Sequence, residues 1–356
     1  MEKGASVLSY DFVPASGNPR NSEGSFLPVS SSRIMFAYTS FSGEAARDYT
    51  PANINIIYSD DDGITWSSPQ TIVRASDYQA MNVMSVSLMR MQNGDAGLFY
   101  LIRKSWYDMQ VVLQRSPDKG KTWSRPVRCS VRDGYFVINN DRVVNAGDSR
   151  IIIPAAEHKN FAGEDSKVVI APAIATFFMS DDDGWTWFET ETPLRLDYPV
   201  CRSGLQEPGV VQMGTNSLYG WARTDLGRQY EFYSYDQGRH WTAPAPSRFT
   251  SPLSPMSIKR LSNGQWIAIW NPVPLDNITT ENKATGNRTP LVYALSSDGK
   301  QWQLPVVIEN DPECGYCYTA ILEWKGTVLL AYCAGSAADR GSCLNRLRIK
   351  RLTSVL

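Results

Sequence analysis

Polar residues recur beside the ends of short apolar runs in this 356-residue chain. Glu23, Asn82, Asn140, Asp141, Glu207 and Tyr318 stand near the starts of such runs, and Arg103, His158, Arg223 and Asn271 near the ends of the runs that follow. Asp48 and Arg288 lie in the segments that lead onward to a further run. Carboxyl groups move protons, guanidinium groups hold anions in a planar fork, and a tyrosine hydroxyl attacks once a base takes its proton. Gathered on one surface, these types make a candidate site for a charged ligand. Scattered around a rim, they would only keep it hydrated, and for any one residue that reading carries more weight.

The elements that must gather them repeat. Six apolar or alternating runs occur as "RIMFAYTS" (from Arg33), "AGLFYLIRK" (Ala96), "RIIIPAAEH" (Arg150), "SLYGWART" (Ser217), "QWIAIWNP" (Gln265) and "TVLLAYCAG" (Thr327). Each follows a turn signal and, before that, another strand-like run, from "EGSFLPV" early in the chain to "YTAILEW" near its end. Downstream come "SDDDGITW" (Ser59), "SPDKGKTW" (Ser116), "SDDDGWTW" (Ser180), "SYDQGRHW" (Ser234) and the shortened "SSDGKQW" (Ser296), spaced 54 to 64 residues apart. In these segments Asp accepts backbone N–H groups, Gly supplies positive φ, and the closing Trp is expected to pack beneath the turn into its own blade.

A period of this length with four strands per unit predicts an all-β, six-bladed propeller. The whole of 1–356 reads as one domain. After the sixth "TVLLAYCAG" the chain offers "NRLRIKRLTSV" as a third strand, and "ASVLSYDFV", within residues 5–14, as the outer fourth. Joining the two ends in one blade closes the ring and removes an open edge. In such a ring each first strand lines the channel and runs antiparallel to the second. First-strand starts and second-strand ends therefore open on the same face, where the acids, arginines and tyrosine converge.

The octapeptides resemble the Asp boxes of the sialidase family, and the order of the polar residues is similar to that family's as well. "NPRNSEGSF" places Arg20 before the first inner strand, although Asn-Ser-Glu follows it where the family has Ile-Pro. "ARDYTPANINIIYSDDDG" offers Asp48 as acid/base, and "LQEPGVVQMGTNSLYGWARTDLGRQYEFYSYDQG" supplies Glu207 and then Arg223. Arg288 precedes the next box in "NRTPLVYALSSDGKQW", and "YCYTAILEWKGTVLLAY" brings Tyr318. The resemblance covers essentially the whole chain. It implies an exo-acting hydrolase of terminal sialic acid or a related acidic sugar, with Tyr318 as nucleophile, Glu207 as its base and Asp48 as a proton donor whose pKa burial raises. It also implies that Arg20, Arg223 and Arg288 hold the sugar carboxylate, and it requires no cofactor.

Glu23, Asn140, Asp141 and His158 have no counterpart in that pattern; Glu23, Asp141 and His158, with Asn82, are read as further substrate contacts, and those first three leave room for an inverting mechanism or another sugar. Tyr316, two residues before Tyr318, shares its face by strand alternation and is a candidate stacking ring. A glycan-binding propeller without catalysis is the reading from a different class.

Composition bounds the partners. Lys plus Arg (35) nearly balances Asp plus Glu (36), so nothing recruits nucleic acid or a charged membrane surface. No apolar stretch is long enough for a membrane span. "MEKGASVLSY" lacks a signal-peptide core, which points to the cytoplasm or to secretion with the signal removed; oligomeric state is not legible. Cys314 and Cys317 form the lone C-x-x-C, with His158 and His240 far away, so free buried thiols are expected rather than zinc or redox chemistry.

Overall fold

The computed structural model describes residues 9–147, 149–159, 172–197, 199–274 and 284–353. After β1 (Ser9–Phe12), the first sheet is β2 (Asn21–Pro28), β3 (Ile34–Phe41), β4 (Ala52–Ser59) and β5 (Gln70–Val73). The second is β6 (Asn82–Arg90), β7 (Ala96–Arg103), β8 (Met109–Ser116) and β9 (Val127–Arg128). In the third, the short β10 (Phe136–Val137) and β11 (Val144–Asn145) both pair with β12 (Ile151–Glu157), followed by β13 (Ile174–Ser180) and β14 (Phe188–Glu189). The fourth is β15 (Gln206–Gln212), β16 (Leu218–Arg223), β17 (Arg228–Ser234) and β18 (Ala245–Thr250). The fifth is β19 (Ser257–Arg260), β20 (Trp266–Trp270), β21 (Leu291–Ser296) and β22 (Val306–Glu309). The sixth is β23 (Cys317–Trp324), β24 (Thr327–Cys333) and β25 (Leu347–Leu352), with β1 as its outer strand.

The six sheets are the blades of a propeller. Among the described residues the only helical piece is a 3-10 turn at Ala75–Tyr78, and no helix is long and apolar enough to cross a membrane. Second strands such as β3, β7 and β24 read as nearly continuous apolar runs because both of their faces are covered by neighbouring blades. The core accordingly lies between blades: Met35 and Ile54 of the first pack with Val86 and Leu98 of the second. Phe36 and Ile57 pack in the same way with Leu329 and Ala331 of the sixth.

β1 pairs antiparallel with β25, Tyr10 opposite Ile349 and Phe12 opposite Leu347. Asp11 adds a two-pronged ion pair, accepting from Nε and Nη2 of Arg348 at 2.8 Å each. Residues 5–8 of the sequence-predicted closing strand, and 354–355 of the strand before it, lie outside the described residues.

The Asp-x-Gly turns are built alike. Asp61 accepts the backbone N–H of Thr65 at 2.8 Å, while the Ser59 hydroxyl accepts that of Gly63 at 2.8 Å. The same pair of bonds recurs at Asp118 with Ser116 and at Asp182 with Ser180. Each turn leans on the preceding blade rather than only its own. At Gly120, where φ is +92°, a Cβ would run into the Tyr58 hydroxyl of the first blade. The closing tryptophans are wedges for the same reason. Trp241, after the fourth blade's β17, stacks at 4.3 Å on Phe177 of the third blade while meeting Phe232 of its own. Packing beneath the turn into a single blade, as expected from sequence, is thus only half of what they do.

Candidate active site

Four inner strands break their pairing at equivalent places. The register slips between Ser22 and Ser25 in β2, Met84 and Ser87 in β6, Gln206 and Gly209 in β15, and Cys317 and Ala320 in β23. The first residue within each bulge is Glu23, Ser85, Glu207 or Tyr318, with φ of 56°, 59°, 45° and 61°. A left-handed residue in a bulge re-aims its side chain, at a cost a well-packed scaffold can bear. All four line one cavity of about 450 Å3, together with Asp48, Arg103, Trp106 and Tyr135. Asp-box residues take no part in its wall.

At one side of the cavity, the Tyr318 hydroxyl donates to Glu207 Oε1 at 3.2 Å. Arg223 Nη2 lies 3.2 Å from the same oxygen, its Nε donates to Gln206, and its buried Nη1 has no hydrogen-bond partner. The Arg288 guanidinium sits 5.5 Å from the Tyr318 ring centre. Burial pushes the Tyr318 hydroxyl well above its ordinary pKa, Glu207 adds to this, and Arg223 and Arg288 oppose it. The resting tyrosine therefore keeps its proton and points it at a carboxylate.

On the other side, Arg20 is 1% exposed and its donors are occupied. Nη1 reaches Asp48 Oδ1 at 2.5 Å, Nη2 reaches Glu23 Oε1 at 3.2 Å, and Nε donates to Ser22 at 3.0 Å. Glu23 Oε2 accepts from the Ser85 hydroxyl at 3.0 Å. The two carboxyl groups are pushed apart. Burial raises Glu23 to about 7 against the pull of Arg20, with Asp48 and Glu207 adding to the rise. Burial acts upward on Asp48 too, but Arg20, Arg103 and Arg288 outweigh it and hold the group below the ordinary carboxylate range. This reverses the expectation that burial raises Asp48; a guanidinium in direct contact dominates.

The remaining sequence candidates divide into supports and outliers. Asn82 donates to the carbonyls of Asp48 at 2.5 Å and Thr50 at 3.2 Å, and Arg103 donates to Asp48 O at 2.9 Å, so both brace the loop that carries Asp48. Asn271 holds the Arg288 segment through the carbonyls of Arg288 and Pro290 at 2.9 Å each. Asn140 ties Gly24 O to Tyr318 O beneath the bulges. Asp141, read as a substrate contact, lies elsewhere: it pairs with Lys259 at 2.7 Å and accepts from Ser25 and the Ile321 backbone. It lines a second cavity of about 310 Å3 among the later halves of the inner strands, at the other end of the channel.

His158 is likewise outside the cavity wall, edge-on to Tyr135 at 6.4 Å; burial and then Arg223 depress it to about 4. Tyr316 is 1% exposed and meets Tyr332 in the core between the fifth and sixth blades. Simple alternation places it beside Tyr318, but the left-handed turn at Tyr318 sends the two rings to different environments.

The sequence reading missed Ser85, Tyr135, Trp106 and the Cys317 environment. Ser85 had a signal: in each bulge a small residue stands two positions on, at Ser25, Ser87, Gly209 and Ala320. Cys317 faces Cys333 across β23 and β24 and accepts from Arg288 Nη1 at 3.0 Å. Burial alone would raise this thiol, but hydrogen bonds from Cys333 and Cys343 and the charge of Arg288 draw it well below the ordinary range. All six cysteines are free. Among the described residues no cluster of His, Cys, Asp and Glu could hold a metal ion.

Residues 32–330 match the family model described as BNR repeat-like domain. No curated protein matches the chain. Solved structures do. A protein of unknown function from Dyadobacter fermentans is 16% identical over 97% of this chain and 98% of its own, with a TM-score of 0.69. The intramolecular trans-sialidase from Ruminococcus gnavus is 13% identical over 96% of both chains, with a TM-score of 0.70. The NanB sialidase from Streptococcus pneumoniae is 12% identical over 96% of this chain and 70% of its own, with a TM-score of 0.67. At such identities the likeness is one of fold. With its family model spanning most of the chain, this protein belongs to the BNR repeat-like domain family, as a sialidase-like six-bladed propeller.

Proposed function

We propose that the protein is an exo-acting glycoside hydrolase that removes a terminal sialic acid or related acidic sugar from glycans. The observation that carries this reading is the 3.2 Å hydrogen bond from Tyr318 to Glu207, set between Arg223 and Arg288. A sugar with a carboxylate on its anomeric carbon repels an anionic nucleophile, and a neutral tyrosine avoids that conflict. Glu207 takes the phenolic proton as the Tyr318 oxygen bonds to the anomeric carbon and the glycosidic bond breaks. Arg223, with Nη1 free of protein partners, and Arg288 hold the sugar carboxylate. Asp48 lines the same cavity with its side chain 61% exposed, and we assign it the proton transfer to the leaving oxygen. It carries a proton to that oxygen once a bound sugar has drawn it away from Arg20, whose contact holds its pKa down, and as a carboxylate it then activates the incoming water, so the configuration is retained.

The test is turnover of a fluorogenic sialoside beside a panel of neutral and acidic 4-nitrophenyl glycosides, with NMR of the first-formed anomer. Release of sialic acid as the retained anomer is the expected result. Glycan binding without turnover of any member would make the chain a glycan-binding propeller instead, and an inverted product would remove the tyrosyl intermediate.

A further inference from the structure

Arg20 does not reach the wall of the main cavity; Glu23 and Asp48 stand there in its place. The sequence pattern treats Arg20, Arg223 and Arg288 as equivalent holders of a carboxylate, but the geometry separates them. Arg223 keeps a guanidinium nitrogen without a partner. Arg20 spends Nη1, Nη2 and Nε on two internal carboxyl groups and a serine, and its face lies 4.4 Å from the Phe41 ring centre. A substrate carboxylate approaching Arg20 would have to displace Glu23, whose other oxygen is fixed by Ser85 at 3.0 Å. Glu23 is itself only 4% exposed, so the displacement is not a simple rotation into solvent.

Building on the acidic-sugar reading of this cavity, we propose that Glu23 is a specificity-determining residue. It occupies Nη2 of Arg20 beside Asp48 on Nη1, confines the sugar's anion to Arg223 and Arg288, and offers its remaining acceptor capacity to a sugar hydroxyl. A carboxyl oxygen has two lone pairs, so each Glu23 oxygen retains one acceptor position after bonding Arg20 or Ser85. The site thereby exchanges one cation for one acidic group, and it selects against ligands that place an anionic group against Arg20.

The test reads binding directly. N-acetylneuraminic acid and its methyl ester are titrated calorimetrically at pH 8 against the full chain and its Glu23→Ala and Glu23→Gln variants, with thermal melts to check folding. Glu23→Ala frees Nη2 of Arg20 and removes the competing charge, and is expected to bind the acid at least about tenfold tighter than the parent, with the ester changed by less than threefold. Glu23→Gln keeps the volume and the Ser85 bond but removes the charge, and is expected to gain several-fold for the acid alone. If neither variant binds the acid more tightly, including the case in which none binds it measurably, the assignment is overturned. Equal gains for acid and ester overturn it too, because they would reflect room rather than charge. Failure of the parent protein to hydrolyse a sialoside would sink the hydrolase reading without altering any of these binding outcomes.

Discussion

Tyr318 on β23 donates its hydroxyl to Glu207 on β15 at 3.2 Å, across 111 residues of sequence and from two blades that are not neighbours in the ring. Both residues have left-handed backbone, and both do so inside bulges of the inner strand. The pair is therefore aimed by the same local device, applied twice.

If Tyr318 attacks the sugar, Tyr318→Phe keeps the ring and loses the reacting oxygen. Turnover should fall at least about 10^3-fold with the melting temperature little changed, as for removal of a nucleophile. A 2,3-difluorinated sialoside should leave a covalent adduct on the Tyr318 peptide, read by mass spectrometry. Near-normal turnover of the Phe variant, with no adduct, would assign the ring to stacking.

Arg223→Ala and Arg288→Ala each remove a charged hydrogen-bond donor from the proposed anion site. A loss of about 1.5–3 kcal/mol apiece corresponds to a fall of roughly 10- to 150-fold in kcat/KM. Because the carboxylate persists from ground state to transition state, KM should rise, and kcat should fall only by the part of the contact that strengthens in the transition state. Kinetics on an acidic and a neutral glycoside would show whether the effect follows the charge.

His158 supplies an acid-sensitive contribution to stability. Its folded pKa of about 4 lies below the ordinary value of about 6.5. Above pH 6.5 it is neutral in both states and contributes no pH dependence. Between 6.5 and 4 the unfolded chain takes up the proton first, so stability drops as pH falls through that window. His158→Gln should flatten this part of the profile in denaturant melts recorded from pH 7 to 4. An unchanged slope would mean that the imidazole is not held neutral.

Removing residues 5–14 takes away β1, the outer strand of the sixth blade, with the Asp11–Arg348 ion pair and the packing of Phe12 against Tyr38 at 4.9 Å. The deletion should lower the melting temperature of the whole protein in one transition, measured by calorimetry. An unchanged melt would show that the ring does not depend on this strand.

Much of the architecture was legible because its signals are local and repeated. The Asp-x-Gly turns, the paired apolar runs and the tryptophans recur at a spacing that only a radial array of four-stranded sheets uses economically. The order Arg20, Asp48, Glu207, Arg223, Arg288, Tyr318 was legible through its resemblance to the sialidase pattern, with the repeat placing Glu207, Arg223 and Tyr318 at strand ends.

The roles within that order were not legible in the same way. Position at strand ends alone set Asp141 and His158 on the cavity, while alternation put Tyr316 beside Tyr318 because period two assumes an unbroken ladder. Bulges at Glu23, Ser85, Glu207 and Tyr318 break it, and where a left-handed residue points depends on the neighbouring blade. Charge is less local still. Asp48 lies below the ordinary carboxylate range and Glu23 is raised to about 7 because one buried arginine touches both while Glu23 is the more deeply enclosed. The sequence by itself determined which residue types each blade presents and at which end of which strand. Only the closed ring decided which of them share a cavity, which arginine is already occupied, and which carboxyl is driven upward by burial, because those outcomes depend on distances between strands that are far apart in the chain.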